Sequence, residues 1–377
     1  MNSGKGAIYM LKKIEIQGYK SIRNLNIELK KINVLIGANG AGKSNFISFF
    51  KLLRWMMQNP GQMQLFVAQS GGANAFLFDG SEVTSQIKAE LSFATDSGRN
   101  DYFMRLFHAA SDTLIFAEEK YRFSSSSYDS LADWISLDSG HRESRLIEKA
   151  NQGDKTARFI VSLIQKDCVV YQFHNTSDTA RIKRRWDIND NRYLKEDAAN
   201  LAPFLWRLRE YEPKSYLRIV ATIRQIAPFF ADFVLEPVGN SVILQWQEYK
   251  TDTIFSSHQA SDGTLRTMSL IALLLQPESQ LPDAIILDEP ELGLHPYAIN
   301  IIAELMQSIS HITQIILATQ STNLIDYFEP EDIIVVERRE RESLFRRLDT
   351  ERLHEWLEDY SLSELLQKNV IGGTPSK

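Results

Sequence analysis

The octapeptide Gly37-Ala38-Asn39-Gly40-Ala41-Gly42-Lys43-Ser44 fits G-x-x-x-x-G-K-[ST] and leaves the chain few folds to choose from. It follows Ile32 to Ile36, a nearly continuous apolar run that suits a strand buried on both faces. It precedes helical periodicity from about Ser44 to Met57, which Pro60-Gly61 closes. Strand, turn and helix are the context this motif needs. Its glycines let backbone N–H groups turn inward around phosphate oxygens, and the helix N-terminus adds the positive end of its dipole. Lys43 then reaches the β- and γ-phosphates, and the Ser44 hydroxyl ligates Mg²⁺. A plain glycine-rich turn is the competing reading, and the flanking strand and helix count against it.

A second apolar strand, Ala284 to Leu287, ends in the adjacent carboxylates Asp288 and Glu289. Such a pair suits the metal side of a phosphate site, with Asp288 holding Mg²⁺ through water. Past the strand end the chain can turn Glu289 toward the γ-phosphate, where it would orient or deprotonate the attacking water. Ser261-Asp262-Gly263-Thr264-Leu265-Arg266 precedes an apolar helix, Met268 to Leu275. Taken alone, that hexapeptide is best read as a helix N-cap.

At 377 residues the chain has room for two or three structural units. Hydrophobic residues at 44% and charged residues at 24% match a folded, water-soluble protein and argue against a disordered or membrane-embedded one. Forty-two Lys and Arg against 48 Asp and Glu leave a net charge of −6, so the molecule as a whole does not coat nucleic acid nonspecifically. The single cysteine, Cys168, excludes an internal disulfide and a Cys-based zinc cluster and fits a reducing cytoplasm. Apolar runs fall far short of the roughly 20 residues of a spanning helix. Residues 1–9 read as a dispensable leader rather than a secretory signal.

Lys12 to Gln17 and Leu25 to Leu29 read as two paired strands around Tyr19-Lys20-Ser21-Ile22. Lys20-Ser21 suits either a phosphate contact or a solvent-facing turn. Gln86 to Phe93 and Asp112 to Phe123 suggest a small antiparallel sheet, with Ser124 to Ser127 as a solvated loop. From Leu131 to Leu217 the periodicity is mainly helical, with a strand at Cys168 to Phe173. Arg181, Lys183, Arg184 and Arg185 beside Trp186 read as a solvated face more readily than as a nucleic-acid contact. No sustained heptads appear, so no long coiled-coil arm is expected. Arg338 to Arg347 alternates basic residues with Glu337, Glu340 and Glu342, which predicts a self-neutralising surface hairpin. The expected organisation is an N-terminal part of a nucleotide-binding domain over 1–125, an inserted helical lobe over 126–217, the remainder of that domain over 218–350 and a tail over 351–377.

The order of the glycine loop, S-D-G-T-L-R, L-D-E-P-E-L-G-L-H-P and I-L-A-T-Q-S resembles the ABC-type ATPase heads of the RecF, SMC and OLD group. It is most similar to stand-alone bacterial ATPases of the AAA-21, RecF-like kind. The likeness extends to K-I-E-I-Q-G-Y-K-S-I, Gly71-Gly72-Ala73, Asn200-Leu201-Ala202, Ile226 to Phe230 and Ile371 to Pro375.

The resemblance implies an α/β P-loop NTPase of ABC/SMC-head type: a mixed sheet core, an antiparallel β subdomain and an inserted, mainly helical lobe. It implies ATP and Mg²⁺ as ligands, and a homodimer in which Ser261 and Gly263 of one subunit close over ATP held by Gly37, Asn39, Gly40, Ala41, Gly42, Lys43, Ser44 and Asn45 of the other. Gly293-Leu294-His295-Pro296 would occupy the loop that couples the two sites, although His295 reads equally as a helix start. The catalytic set becomes Glu289, Lys43 and Gln320, and the metal set Ser44, Asp288 and Gln69. Gln320 stands where such proteins often carry histidine. A neutral amide carries no proton or positive charge, which fits slow hydrolysis.

The function expected is an ATP-driven switch in DNA repair or anti-phage defence, working on DNA or with a separately encoded nuclease or other effector, with a higher oligomer left open. Against it stand a nucleotide-binding scaffold with little turnover and, more weakly, the ATP-binding subunit of a transporter. The stretch after Asp288 leaves no room for the Toprim nuclease domain of the OLD enzymes.

Overall fold

The computed structural model describes residues 10–127 and 130–373; the expected leader over 1–9 and the Thr374-Pro375 end of the tail lie outside them. The described chain divides into two compact units. The larger comprises residues 10–170, 282–286 and 313–373, and the second comprises 171–281 and 287–312. The segment expected as one inserted lobe contributes its helices Leu146–Asn151 and Lys155–Asp167 to the larger unit and Leu201–Tyr211 to the second.

Two six-stranded sheets build the larger unit, apart from Tyr171, Leu287 and Asp288 of the second sheet, which fall in the other unit. In the first, the order is Ile22–Glu28, Met10–Tyr19, Gln86–Thr95, Gly98–Ala109, Thr113–Ser125 and Ile135–Ser136, with every pairing antiparallel. Alternation in Met10–Tyr19 buries Ile14 and Ile16 on one face, as period-two strands require. Gly98–Ala109 escapes sequence reading because it buries an unbroken block, Asn100 to Met104, on both faces. Its Asp101 is fully buried and holds Arg99 and Arg122 at 2.9 and 2.8 Å. Nearby, Glu119 accepts hydrogen bonds from the Tyr102 hydroxyl at 2.7 Å, the Ser144 hydroxyl and the Arg145 amide at 2.9 Å, which ties residues 144–145 to the sheet. Ser124 and Ser125 continue the strand rather than forming the expected loop, and Ser124 is buried.

The second sheet runs Glu342–Arg347, Ile333–Arg339, Ile32–Ile36, Gln314–Thr319, Ala284–Asp288 and Val170–Tyr171. Ile32–Ile36 lies parallel to both Gln314–Thr319 and Ile333–Arg339. All five of its residues are buried, so the near-continuous apolar run has its physical cause. Helix Lys43–Met56 leaves this strand's loop and packs Phe46, Phe49, Phe50 and Leu53 into the core of the larger unit.

The second unit holds a three-stranded sheet, Phe230–Phe233, Gln245–Glu248 and Ile254–Ser256, and a two-stranded pair of Ser241–Val242 with Trp186–Asp187. Around them lie helices Leu201–Tyr211, Pro213–Ile226, Asp262–Leu274 and Pro296–Ile309. Helix Asp262–Leu274 buries every residue from Thr267 to Leu274, the mark of a central helix. The basic cluster folds back on its own unit: Lys183 is buried, and Arg181 pairs with Asp197 at 2.9 Å and lies over the Trp186 ring.

Candidate nucleotide-binding site

In the larger unit the loop from Gly37 to Gly42 joins the buried strand to the helix at Lys43. Asn39 and Gly40 are exposed, whereas Ala41, Gly42 and Lys43 are buried. The Lys43 ammonium donates to the carbonyls of Gly37 at 2.6 Å and Ala38 at 3.1 Å, so it lies across its own loop. Ser44 is exposed at the first turn, and no acidic residue occupies that turn to compete for the positive helix end. The Asn45 amide donates to the Ser21 hydroxyl at 2.7 Å. Lys20 is no plain turn residue: its ammonium donates to the Ser48 hydroxyl at 3.0 Å and sits over the Tyr19 and Phe76 rings. Burial, and then the neighbouring Lys51 charge, push its pKa below the usual lysine range. Gln320 is exposed immediately after strand Gln314–Thr319.

The second unit carries the carboxylates. Asp288 closes its strand and is buried, and the Gln172 amide donates to its Oδ2. Glu289 takes a φ of 47°, a left-handed conformation that is costly for a glutamate, and Pro290 follows it. His174 Nε2 lies 3.3 Å from the Glu289 carbonyl. Together Tyr171, Phe173, His174, Arg266, Asp288 and Glu289 line a small cavity.

Arg266 ties the surrounding segments together, donating to the Leu292 carbonyl at 2.8 Å and the His174 carbonyl at 3.0 Å. Two glycines allow close approach here. A Cβ on Gly263 would meet the Gly293 carbonyl oxygen at 2.7 Å, and one on Gly293, whose φ is 73°, would meet Arg266 Nη1 at 2.5 Å. Ser261 is exposed and caps helix Asp262–Leu274 by accepting from the Thr264 amide at 3.1 Å. His295 likewise caps Pro296–Ile309 through Nδ1, accepting from the Tyr297 amide at 3.2 Å. The helix-start reading of both residues is therefore realised, and neither cap uses up the residue's exposed surface.

Gln69 is exposed at the C-terminal end of helix Gln62–Gln69 in the larger unit, while Gln172 meets Asp288. The sequence contains many glutamines, and no local spacing marks the one that returns to a strand more than 100 positions later. In the sequence Gln172 falls within a strand candidate and Arg266 within a helix-cap motif, and neither pattern marks a side chain that reaches a distant partner. The hairpin of Ile333–Arg339 and Glu342–Arg347 forms, but its charges mostly pair outward. Arg338 donates to the Gly40 carbonyl, Arg341 pairs with Asp79 and Arg346 donates to the Ile371 carbonyl, leaving Arg339 with Glu337 at 3.6 Å as a pair within the hairpin.

A buried strand, glycine loop and helix, with a strand of the same sheet ending in Asp288, define a P-loop NTPase of the ABC/SMC-head type. The family model described as "AAA domain, putative AbiEii toxin, Type IV TA system" matches residues 32–326, and the chain belongs to this AAA_21 family of ATPases. Solved SMC heads share the fold. The SMC head bound to the C-terminal winged-helix domain of ScpA has a TM-score of 0.62 at 15% identity, covering 92% of this chain and 99% of that one. The Pyrococcus furiosus head with an extended coiled coil, bound to the C-terminal domain of ScpA, gives 0.55 at 14% identity, covering 93% and 99%. The Pyrococcus yayanosii head with a coiled coil and joint gives 0.53 at 12% identity, covering 93% and 99%. No curated protein matches the chain.

Proposed function

We propose that the protein binds and hydrolyses ATP with Mg²⁺, dimerises around the nucleotide and serves as a switch for DNA repair or anti-phage defence with a separately encoded effector. The observation that carries the catalytic part is Glu289: a glutamate directly after the buried Asp288, held in a costly left-handed conformation. Strain at such a position supports a role for its side chain outside regular strand geometry. The family description, with its toxin system, supports the defence setting, and the ScpA-bound SMC heads support a partner-dependent switch.

Lys43 and the loop amides from Asn39 to Asn45 hold the triphosphate. Ser44 and Asp288 are the metal residues of this reading: each carries the kind of oxygen donor that Mg²⁺ prefers, and the Gln172 amide donates to the Asp288 carboxylate. When bound, Mg²⁺ neutralises charge on the β- and γ-phosphates. Glu289 accepts the proton of the water that attacks the γ-phosphorus, and the bond to the β–γ bridging oxygen breaks to release ADP and phosphate. Gln320 orients that water without taking its proton. Ser261 and Gly263 of a second copy cover the γ-phosphate, so closure and nucleotide are linked: a triphosphate favours the state that makes these contacts.

Phosphate release measured beside light-scattering mass tests this reading. Glu289→Gln should cut turnover by roughly 10²-fold or more and accumulate dimers in ATP and Mg²⁺, whereas Lys43→Ala should lose both turnover and dimer. A Glu289→Gln variant that stays monomeric at saturating ATP removes the sandwich. Tight ATP binding without turnover in the unaltered protein would instead favour the scaffold, the reading that Gln320 supports.

A further inference from the structure

We infer that Ser343, on the C-terminal hairpin, is a positioning residue that aims a backbone amide of the glycine loop at the nucleotide. Ser343 is fully buried in strand Glu342–Arg347 of the larger unit, and its own amide donates to the Ser21 carbonyl at 2.7 Å. Its hydroxyl lies 2.6 Å from the Ala41 carbonyl and 2.7 Å from the Ser21 hydroxyl, which in turn lies 2.7 Å from the Asn45 amide nitrogen. The Ser343 hydroxyl faces both the Ala41 carbonyl and the Ser21 hydroxyl as a donor, and its single proton serves one of them at a time, while the Asn45 amide donates to Ser21. The backbone from Ala41 to Asn45 closes the ring around Gly42.

Two consequences bear on phosphate. The peptide joining Ala41 to Gly42 is planar and trans, so its N–H points opposite to its C=O. Drawing the Ala41 carbonyl toward Ser343 therefore turns the Gly42 N–H away from the hairpin and into the concave side of the loop. Gly42 also has a φ of 113°, and a Cβ there would stand 2.0 Å from the Ser343 oxygen and 2.8 Å from the Ser21 oxygen. The glycine before Lys43 is thus required by the hydroxyls behind the loop as well as by the ligand in front of it. Buried hydroxyls with partners rigidify what they hold, and loss of the Ser343 hydroxyl strands a buried acceptor.

The inference rests on the nucleotide reading above, and its experiment separates the two. ATP binding is measured by calorimetry at a temperature where each variant is folded, with thermal midpoints recorded without nucleotide. Ser343→Ala leaves the Ala41 carbonyl without its donor and is expected to weaken ATP binding about tenfold, while AMP, which lacks the phosphates the loop cradles, changes less. Ser21→Ala breaks the same chain one link earlier and should give a similar loss, and it decides the matter if Ser343→Ala does not fold. The double variant should cost about as much as the larger single change, because both interrupt one chain. Folded variants that bind ATP within twofold of the unaltered protein, losses that add, or equal losses for ATP and AMP overturn the role of Ser343. If the unaltered protein binds no ATP, or Lys43→Ala binds it as well, the nucleotide reading itself fails.

Discussion

At the scale of single residues, a few side chains of the candidate site have unusual surroundings. Lys43 lies on its own loop carbonyls, which gives a cation an internal resting place that a triphosphate can outbid through direct charge. Glu289 gains orientation at the expense of backbone comfort. Gln172 supplies a direct comparison with the glutamine favoured by sequence. Replacing Gln172 with alanine removes the amide on Asp288 and is expected to raise the Mg²⁺ concentration for half-maximal turnover roughly 10-fold, whereas Gln69→Ala on its exposed helix end should leave it unchanged. A magnesium titration of both variants checks this; the reverse result would restore Gln69 as the metal-side residue.

Among the elements, helix Asp262–Leu274 shows how one residue can serve structure and site together. Ser261 accepts from the Thr264 amide, so Ser261→Ala loses a cap worth about 1 kcal/mol. Aspartate or asparagine caps as well as serine but lacks the hydroxyl. If Ser261 does no more than cap, Ser261→Asn should match the unaltered protein in thermal midpoint and in ATP-dependent mass. If it also meets the γ-phosphate of a partner, Ser261→Asn keeps the midpoint and loses the dimer. Melting curves beside light scattering separate these outcomes. The same helix carries Arg266, which links its Ser261 end to both Leu292 and His174 within one unit.

For the whole molecule, the candidate residues are divided between the two units. The larger unit holds the glycine loop and Gln320, and the second holds Asp288, Glu289, Gln172 and Ser261. Among the described residues the longest helices have 14 residues, so no coiled-coil arm comparable to those named for the Pyrococcus heads is present there, and no helix is long and apolar enough to cross a membrane. A ligand that binds only the folded chain stabilises it by mass action. ATP with Mg²⁺ at about 100 times its Kd is therefore expected to add roughly 2.7 kcal/mol, visible as a raised thermal midpoint that Lys43→Ala does not share. Unchanged midpoints across an ATP titration would count against nucleotide binding.

Local pattern made the glycine loop, the strand before it, the carboxylate pair and the two helix caps readable from sequence, because each depends on neighbours within a few residues. The strand Gly98–Ala109 stayed hidden, since burial on both faces with an ion pair inside erases alternation. Gln172 at Asp288, Arg266 across two loops and Ser343 behind Gly42 were decided only by tertiary structure. Their partners lie from 26 to 322 positions away, and hydrogen bonds of that span leave no period, spacing or composition for a sequence to display.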